Sequence, residues 1–165
     1  MKKLIYTLLV IIALTNNSFS AGTSSDSSDS SSNYTKAKNL IKAAKKYEKK
    51  GKTEKAKKRY TKAQKLLLKS NKKKPLQADT LNYLGFTTRK LGDYKKSEAF
   101  YLQGLKIEPN HNGINEYLGE LYIATNRMDL AKERLNILKS CDCKEYKQLK
   151  KMSKKIINVV TFFNY

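Results

Sequence analysis

Two cysteines separated by one residue are the side chains of this sequence best suited to chemistry. They are Cys141 and Cys143, the two cysteines of the chain, and they lie in the stretch SCDCKEY over residues 140–146. Three uses fit this spacing: a structural pair of small, buryable side chains at a turn, a reducible small-ring disulfide with a redox role, or a pair of metal ligands. The structural use is favoured over the redox use, and the redox use over metal handling.

A metal ion would need more ligands than two thiolates. The residues that could help do not stand at a recognised zinc spacing; they are His111, Glu116, Glu120, Asp142 and Glu145. We therefore predict no metal site. We interpret His111, the one histidine of the chain, as polar loop surface.

Signatures of common enzymes are missing from the sequence. It has no glycine-rich phosphate loop, no H-E-x-x-H and no G-x-S-x-G, and a single histidine to serve as a base. We predict no catalytic residue, no cofactor and a protein that is not an enzyme.

The N-terminal segment, residues 1–20, is typical of a signal peptide. Lysines precede an apolar run from Leu4 to Leu14, and small residues at Ser18 and Ser20 predict cleavage after Ser20. A transmembrane anchor is disfavoured because the run is shorter than the roughly 20 residues that span a bilayer. We expect a periplasmic or secreted protein with no membrane span after cleavage. Residues 21–35 are serine-rich and predict a disordered tether.

The positive charge is concentrated in one segment. The chain carries a formal net charge of +21, and residues 36–74 hold 18 Lys and Arg against 2 Glu. This segment is either a solvated charged face, the favoured interpretation, or an adaptor surface that binds anionic lipid, glycan or nucleic acid weakly and non-specifically. Specific nucleic-acid recognition is not expected, because the basic residues are mostly Lys and lack the planar fork of Arg.

A repeat of 34 residues is visible in the C-terminal half. Residues 81–110 align with residues 115–144, so that Gly85 maps to Gly119 and Gly92 to Asn126. Gly and Asn are the residues that best tolerate the left-handed conformation that closes a helix. The spacing of apolar residues between these points is helical.

A weaker copy lies upstream with an insertion. Tyr60 lies 41 residues before Tyr101, whereas Pro75 lies 34 residues before Pro109. The seven extra residues predict that the second helix of this first hairpin is longer by nearly two turns.

These features resemble the tetratricopeptide repeat, whose pattern is W-x2-L-G-x2-Y, then A-x3-F, then P. The matching positions are Leu84, Gly85, Tyr101 and Pro109 in residues 78–111, and Leu118, Gly119, Tyr122 and Ala131 in residues 112–145. Asn115, in the W slot, departs from the pattern.

The resemblance implies an all-α solenoid of about three helical hairpins with a C-terminal capping helix. The hairpins are a divergent Lys-rich unit over residues 36–77 and repeats over 78–111 and 112–145; the capping helix and an apolar tail follow over 146–165. We expect Tyr146, Leu149, Met152 and Ile156 to form the buried face of the cap. The tail either tucks against the last repeat, the favoured interpretation, or is an exposed partner contact. In this register Asp142 lies in the turn before the cap and is expected to cap that helix.

The resemblance also implies a concave groove, lined by the first helix of each hairpin, that binds a protein or peptide partner. The positions in these slots are Ile41, Lys45, Asn82, Phe86, Arg89, Lys90, Glu116 and Glu120. The groove is expected to run from basic to acidic with Phe86 as an aromatic ledge. The carboxylate-gripping clamp of some members is not expected, because the last repeat presents Glu116 and Glu120.

The serine-rich N terminus and the CxCxEY turn are similar to those of small exported bacterial tetratricopeptide-repeat proteins, over residues 36 to about 152. We therefore predict a non-enzymatic exported scaffold. The alternatives are a thiol-redox or metal-handling role of Cys141 and Cys143, and the anionic-surface adaptor described above.

Overall fold

The computed structural model describes the backbone of residues 25–163 and the side chains of residues 32–154. The predicted signal peptide and the side chains of the apolar tail, including Ile156, lie outside this part of the chain.

The described part of the chain folds into seven α-helices and no strand, which confirms the all-α prediction. The helices are α1 (Ser25–Lys49), α2 (Thr53–Lys73), α3 (Ala78–Lys90), α4 (Tyr94–Ile107), α5 (Asn112–Ala124), α6 (Met128–Leu138) and α7 (Lys144–Phe163), with a short 3-10 turn at Lys139–Cys141.

The helices pair in chain order into three hairpins, α1–α2, α3–α4 and α5–α6, and α7 caps the last one. Each hairpin packs on the next, through α2 against α3 and α4 against α5, and α7 packs on α5 and α6. The predicted solenoid of three hairpins plus a cap is therefore confirmed. Because each unit contacts its neighbours in sequence, the first helices of successive hairpins lie side by side.

The helix ends follow the predicted turn chemistry. Gly51 and Gly92 have φ angles of 68° and 97°, and Asn126, at the position equivalent to Gly92, has a φ of 57°. Asp93 then begins α4, where its side chain accepts a hydrogen bond from the backbone N–H of Lys96 at 3.0 Å. The left-handed residues reverse the chain direction in the turns of all three hairpins.

Close backbone approach explains the repeated glycine. A Cβ atom on Gly85 would lie 2.4 Å from the ring of Tyr101, so α3 and α4 meet at a distance that only glycine permits. Ser97 reinforces the contact, because its Oγ donates a 2.7 Å hydrogen bond to the backbone carbonyl of Gly85. Gly119 has a different neighbour: a Cβ there would lie 2.5 Å from Leu149 of α7.

The insertion in the first hairpin lengthens α2 as predicted. Helix α2 has 21 residues and α4 has 14, a difference of seven. The additional turns keep the helical spacing of buried positions, which continues from Ala63 to Leu67 and Ser70.

The start of α1 and the buried face of α7 differ from the sequence-based prediction. Helix α1 begins at Ser25, inside the segment predicted to be a disordered tether. Packing begins by Asn33, which is buried, and Tyr34, whose ring lies edge-on at 5.9 Å from that of Tyr83. A helix that is already nucleated and packed extends at little cost into polar sequence. In the cap, Leu149 and Ser153 are buried and Met152 is 36% exposed, so Met152 was wrongly placed on the buried face.

We predict that Gly85→Ala lowers the free energy of unfolding by about 2 kcal/mol, because the added methyl group overpacks the α3–α4 contact. Chemical denaturation of the wild type and the variant measures this. The same substitution is also made in a Tyr101→Leu protein, which lacks the ring. Leucine is chosen because Leu135 occupies the equivalent position of the next repeat. The cost of Gly85→Ala should shrink in that background, and an unchanged cost would show that the Tyr101 ring is not what excludes a Cβ.

Candidate functional site

A concave groove lies across α1, α3, α5 and α7. It consists of two adjoining cavities of about 530 Å³ and about 410 Å³. Both are lined by Lys45, Glu116, Tyr117 and Gln148. The first cavity adds Phe86, Arg89, Lys90 and Glu120, and the second adds Asn82. The seven predicted groove residues thus come together, and their role in binding a partner stays a prediction.

Two aromatic or apolar positions of the groove were placed wrongly. Ile41 is 3% exposed and belongs to the core between the first two hairpins, because its helix face turns inward. Phe86 is 2% exposed and forms the floor of the groove instead of a ledge. Its ring packs at 4.8 Å from that of Tyr117, and the Lys45 ammonium lies 4.4 Å from its centroid.

Charged side chains in the groove are paired across helices. Arg89 of α3 donates a hydrogen bond to Glu120 of α5, and Lys90 of α3 donates to Glu48 of α1 at 3.0 Å. Tyr60 also donates to Glu48, at 2.9 Å. Pairing between neighbouring helices therefore offsets part of this charge locally, and the expected run from basic to acidic along the groove stays a prediction.

Lys45 is half-buried, and its ammonium group contacts the side chain of Tyr117. Its ammonium donates a 3.1 Å hydrogen bond to the Tyr117 hydroxyl and lies 5.3 Å from the centroid of that ring. Burial lowers the pKa of Lys45, and the nearby carboxyls of Glu116 and Glu120 partly restore it.

Glu116 is the buried carboxyl at the centre of the groove. It is 3% exposed, and its carboxyl makes no hydrogen bond or ion pair with any described residue. Burial, followed by the charges of Glu120 and Glu145, raises the pKa of Glu116 to about 8, and Lys45 and Lys144 oppose this rise. A carboxyl with such a pKa in a groove is typical of a functional position.

Several residues of the groove were missed by the sequence analysis. Tyr117 and Gln148 line both cavities, and Glu48 anchors Lys90. A signal for Glu48 exists, since it lies one helical turn after Lys45. Gln148 was missed because α7 was considered a cover for the last hairpin, whereas it also supplies the fourth wall of the groove.

We predict that Glu116→Gln stabilises the protein increasingly as pH rises. The folded-state pKa is about 8 against an ordinary value of 4.5, so the folded state holds more protons between these values and stability is lost as pH increases through this range. The amide has no charge to bury, so the variant should be more stable by up to ~4 kcal/mol at pH 9 and nearly equal to the wild type at pH 4.5.

Denaturant unfolding at several pH values measures this difference. Glu54→Gln is the matched control, because Glu54 is exposed in the first turn of α2. Parallel pH profiles for the wild type and Glu116→Gln would contradict the raised pKa.

His111 is a structural residue and not the free polar surface that was predicted. Its Nδ1 accepts a hydrogen bond from the backbone N–H of Ile114 at 3.1 Å and caps α5. Its Nε2 lies 3.3 Å from a carboxylate oxygen of Asp79 at the start of α3. The His111 side chain is 12% exposed. It therefore links the N-terminal ends of two helices that border the second cavity.

Asn115, which departs from the repeat pattern, is also satisfied by hydrogen bonds. Its amide donates to the backbone carbonyls of Pro109 and His111 at 3.0 and 3.2 Å. Arg134 donates to its side-chain oxygen at 3.3 Å. A buried polar network therefore stands where the pattern has a tryptophan.

Cys141 and Cys143 form a disulfide in the turn between α6 and α7. Within residues 32–154, no group of three or more His, Cys, Asp or Glu side chains is arranged to hold a metal ion. Asp142 does not cap α7: it has a φ of 38°, and its carboxylate pairs with Lys147 at 3.0 Å. The left-handed conformation points the Asp142 side chain toward solvent, so the expected cap is wrong.

We predict that replacing both Cys141 and Cys143 by Ser lowers the free energy of unfolding by no more than ~2 kcal/mol, because the disulfide closes a very short loop. Denaturant unfolding of the wild type with and without reductant measures the same effect. Reduction should lower its free energy of unfolding by an amount similar to that of the double substitution. A loss of several kcal/mol would show that the turn holds α7 in place far more strongly than its loop length implies.

The basic segment is largely exposed on the first hairpin. Lys55, Lys58, Arg59 and Lys62 of α2, together with Tyr47, line a shallow hollow of about 350 Å³ outside the groove. This exposure agrees equally with a solvated face and with weak binding of anionic surfaces, so the choice stays open. Among the described helices, none combines the length and apolarity that a bilayer crossing requires.

Comparisons with known proteins agree with this architecture. Residues 78–111 match the family model of the tetratricopeptide repeat, and no curated protein matches the sequence. The solved structures that resemble the chain include the type III secretion translocator chaperone SycD of Yersinia enterocolitica, at 15% identity and a TM-score of 0.54, over 78% of this chain and 93% of that chain.

Two complexes are similar to the chain as well. SycD with a peptide of the translocator YopD matches at 15% identity and a TM-score of 0.52, over 78% of this chain and 94% of that chain. PcrH with the chaperone-binding region of PopD matches at 16% identity and a TM-score of 0.51, over 78% and 92%. At these identities the likeness shows the fold, a tetratricopeptide-like solenoid of helical hairpins.

Proposed function

We propose that this protein is a non-enzymatic scaffold that binds a peptide segment of a protein partner in the groove formed by α1, α3, α5 and α7. The observation that carries the proposal is the groove itself, with its two adjoining cavities on the concave side of a helical solenoid. A groove of this kind suits an elongated ligand, because the side-by-side helices present one continuous row of side chains.

The composition of the groove supports a peptide ligand. Its floor carries aromatic surface at Tyr117, which packs on the buried Phe86 ring, and its centre holds polar groups at Lys45 and Glu116. Ligand sites combine apolar surface with a few placed polar groups in this way. The SycD and PcrH complexes with segments of YopD and PopD motivate the same choice of ligand for this fold.

We propose further that the protein acts outside the cytoplasm. The support comes from the sequence, in the basic and apolar pattern of residues 1–20, and the disulfide between Cys141 and Cys143 fits an oxidising compartment. The small exported bacterial subtype with a CxC turn belongs to the same proposal.

The test blocks the groove without disturbing the core. Gln148 is exposed and borders both cavities, so Gln148→Trp fills the space between α5 and α7 with a bulky side chain. Peptides selected by the full chain from a random displayed library should bind this variant at least about tenfold more weakly, which corresponds to about 1.4 kcal/mol. Titration by fluorescence anisotropy measures the change.

The matched control is Lys62→Trp, which adds the same side chain to the exposed outer face of α2. It should leave binding unchanged. Two results would show that the groove is not the binding surface. The selected peptides would bind Gln148→Trp as tightly as the wild type, or Lys62→Trp would weaken their binding instead.

A further inference from the structure

The second cavity of the groove is unusually acidic for this chain. Its walls present four carboxyl groups and two lysine ammonium groups, in a protein whose formal net charge is +21. The carboxyls are those of Asp79, Glu108, Glu116 and Glu145, and the ammonium groups are those of Lys45 and Lys144. We name this cavity the acidic subsite.

Most other carboxyls that border the groove already have a partner. Glu48 accepts from Lys90, Glu120 accepts from Arg89, and Asp79 lies 3.3 Å from His111. Glu145 lies 3.7 Å from the Lys144 ammonium. Glu116 is more deeply buried than these, and within the described residues it has no hydrogen-bond or ion-pair partner.

Lys45, the lysine that most opposes the raised pKa of Glu116, is held elsewhere. Lys45 donates its hydrogen bond to Tyr117 and lies over the rings of Phe86 and Tyr117. It therefore compensates Glu116 only at longer range. A buried carboxyl that folding leaves without a donor is a group that a ligand donor can satisfy.

We propose that the acidic subsite receives a lysine or arginine side chain of the partner peptide, whose cationic group pairs with Glu116. This inference rests on the proposed function and names the chemistry that the groove selects. Glu145 and Asp79 add negative charge around the incoming group.

The free energy of this pairing depends on the burial and the protonation state of Glu116. Burying a carboxylate is costly, and in this protein folding leaves Glu116 only 3% exposed. At neutral pH burial keeps most Glu116 carboxyls protonated, so a cation that enters the subsite must also displace that proton, and this cost falls as pH rises to 8 and above. Once ionised, the carboxyl attracts the cation in surroundings that folding has already shielded from most of the solvent. The pairing should therefore contribute to specificity for a basic side chain, because an uncharged or acidic one leaves Glu116 unpaired.

Selection from a random displayed peptide library tests the proposal, with the full chain as bait. Peptides that the wild type selects should carry a basic residue at one fixed position relative to their apolar residues. Selection by Glu116→Gln should lose that basic preference while the apolar positions persist. The exposed control Glu54→Gln should reproduce the wild-type selection.

A pH titration of one selected peptide provides a second readout. Ionised Glu116 is the form that pairs with a cation, and its pKa lies at about 8 in the free protein. Charged and titratable groups from every neighbouring element line the two cavities around it. They include Lys45 and Glu48 of α1, Asp79, Arg89 and Lys90 of α3, Glu108 and His111 of the α4–α5 turn, Glu120 of α5, and Lys144, Glu145 and Lys151 of α7. The apparent affinity should rise about tenfold from pH 7 to pH 9, as the ionised fraction grows.

The controls separate this effect from general charge effects. Binding to Glu116→Gln, or binding of a peptide whose basic residue is replaced by norleucine, should not show that rise. The acidic subsite would be overturned if the peptides that Gln148→Trp blocks were enriched in acidic residues, or if Glu116→Gln selected the same basic residue as the wild type. Either result would leave the proposed function standing. Failure to select any peptide that Gln148→Trp blocks would overturn the proposed function, and the subsite with it.

Discussion

The contact between Gly85 and the Tyr101 ring sets the geometry on which the groove depends. Because no Cβ separates the α3 backbone from the ring, α4 packs directly on one face of α3. Ser97 of α4 strengthens this contact, because its hydroxyl donates a hydrogen bond to the backbone carbonyl of Gly85. With one face of α3 committed to α4, another face is left to meet α1 and α5, and those helices together form the concave side.

A second glycine allows the last hairpin to pack closely against its cap. Gly119 lets Leu149 approach α5, so α7 takes the position that the first helix of a fourth hairpin would occupy. Helix α7 therefore has two roles. It covers the apolar end of the solenoid through Leu149, and it adds Gln148 to the groove.

Electrostatics then distinguish the groove from the rest of the surface. The outer face of the first hairpin is exposed and basic, whereas the groove pairs its charges between helices, as in Arg89 with Glu120 and Lys90 with Glu48. Glu116 is the exception among these groups, since burial raises its pKa and leaves it without a donor within the described chain. A protein with a large positive charge thus contains a cavity in which carboxyls outnumber ammonium groups, and this contrast supports the proposed role of the groove.

Local and periodic features were predictable from the sequence, and features that depend on distant partners were not. Gly92 and Asn126 showed where helices end, because few residues tolerate a positive φ. The burial of Phe86 could not be predicted from its slot in the repeat, because it depends on Tyr117 and Lys45 from two other helices. The pairing of Lys90 with Glu48 depends on how α1 lies against α3, which the weakly conforming first hairpin did not specify. The left-handed Asp142 was missed because the disulfide, not helix capping, shapes its turn.

Site-specific photo-crosslinking in the cell that makes the protein tests the central claim most directly. A photoreactive residue would replace Gln148 or Lys49, which border the groove, or Lys62 or Lys132, which lie outside it. If the groove binds a peptide segment of a partner, both groove positions will give one adduct of the same mass and the outer positions will not. The same adduct from the outer positions, with none from the groove, would contradict the account.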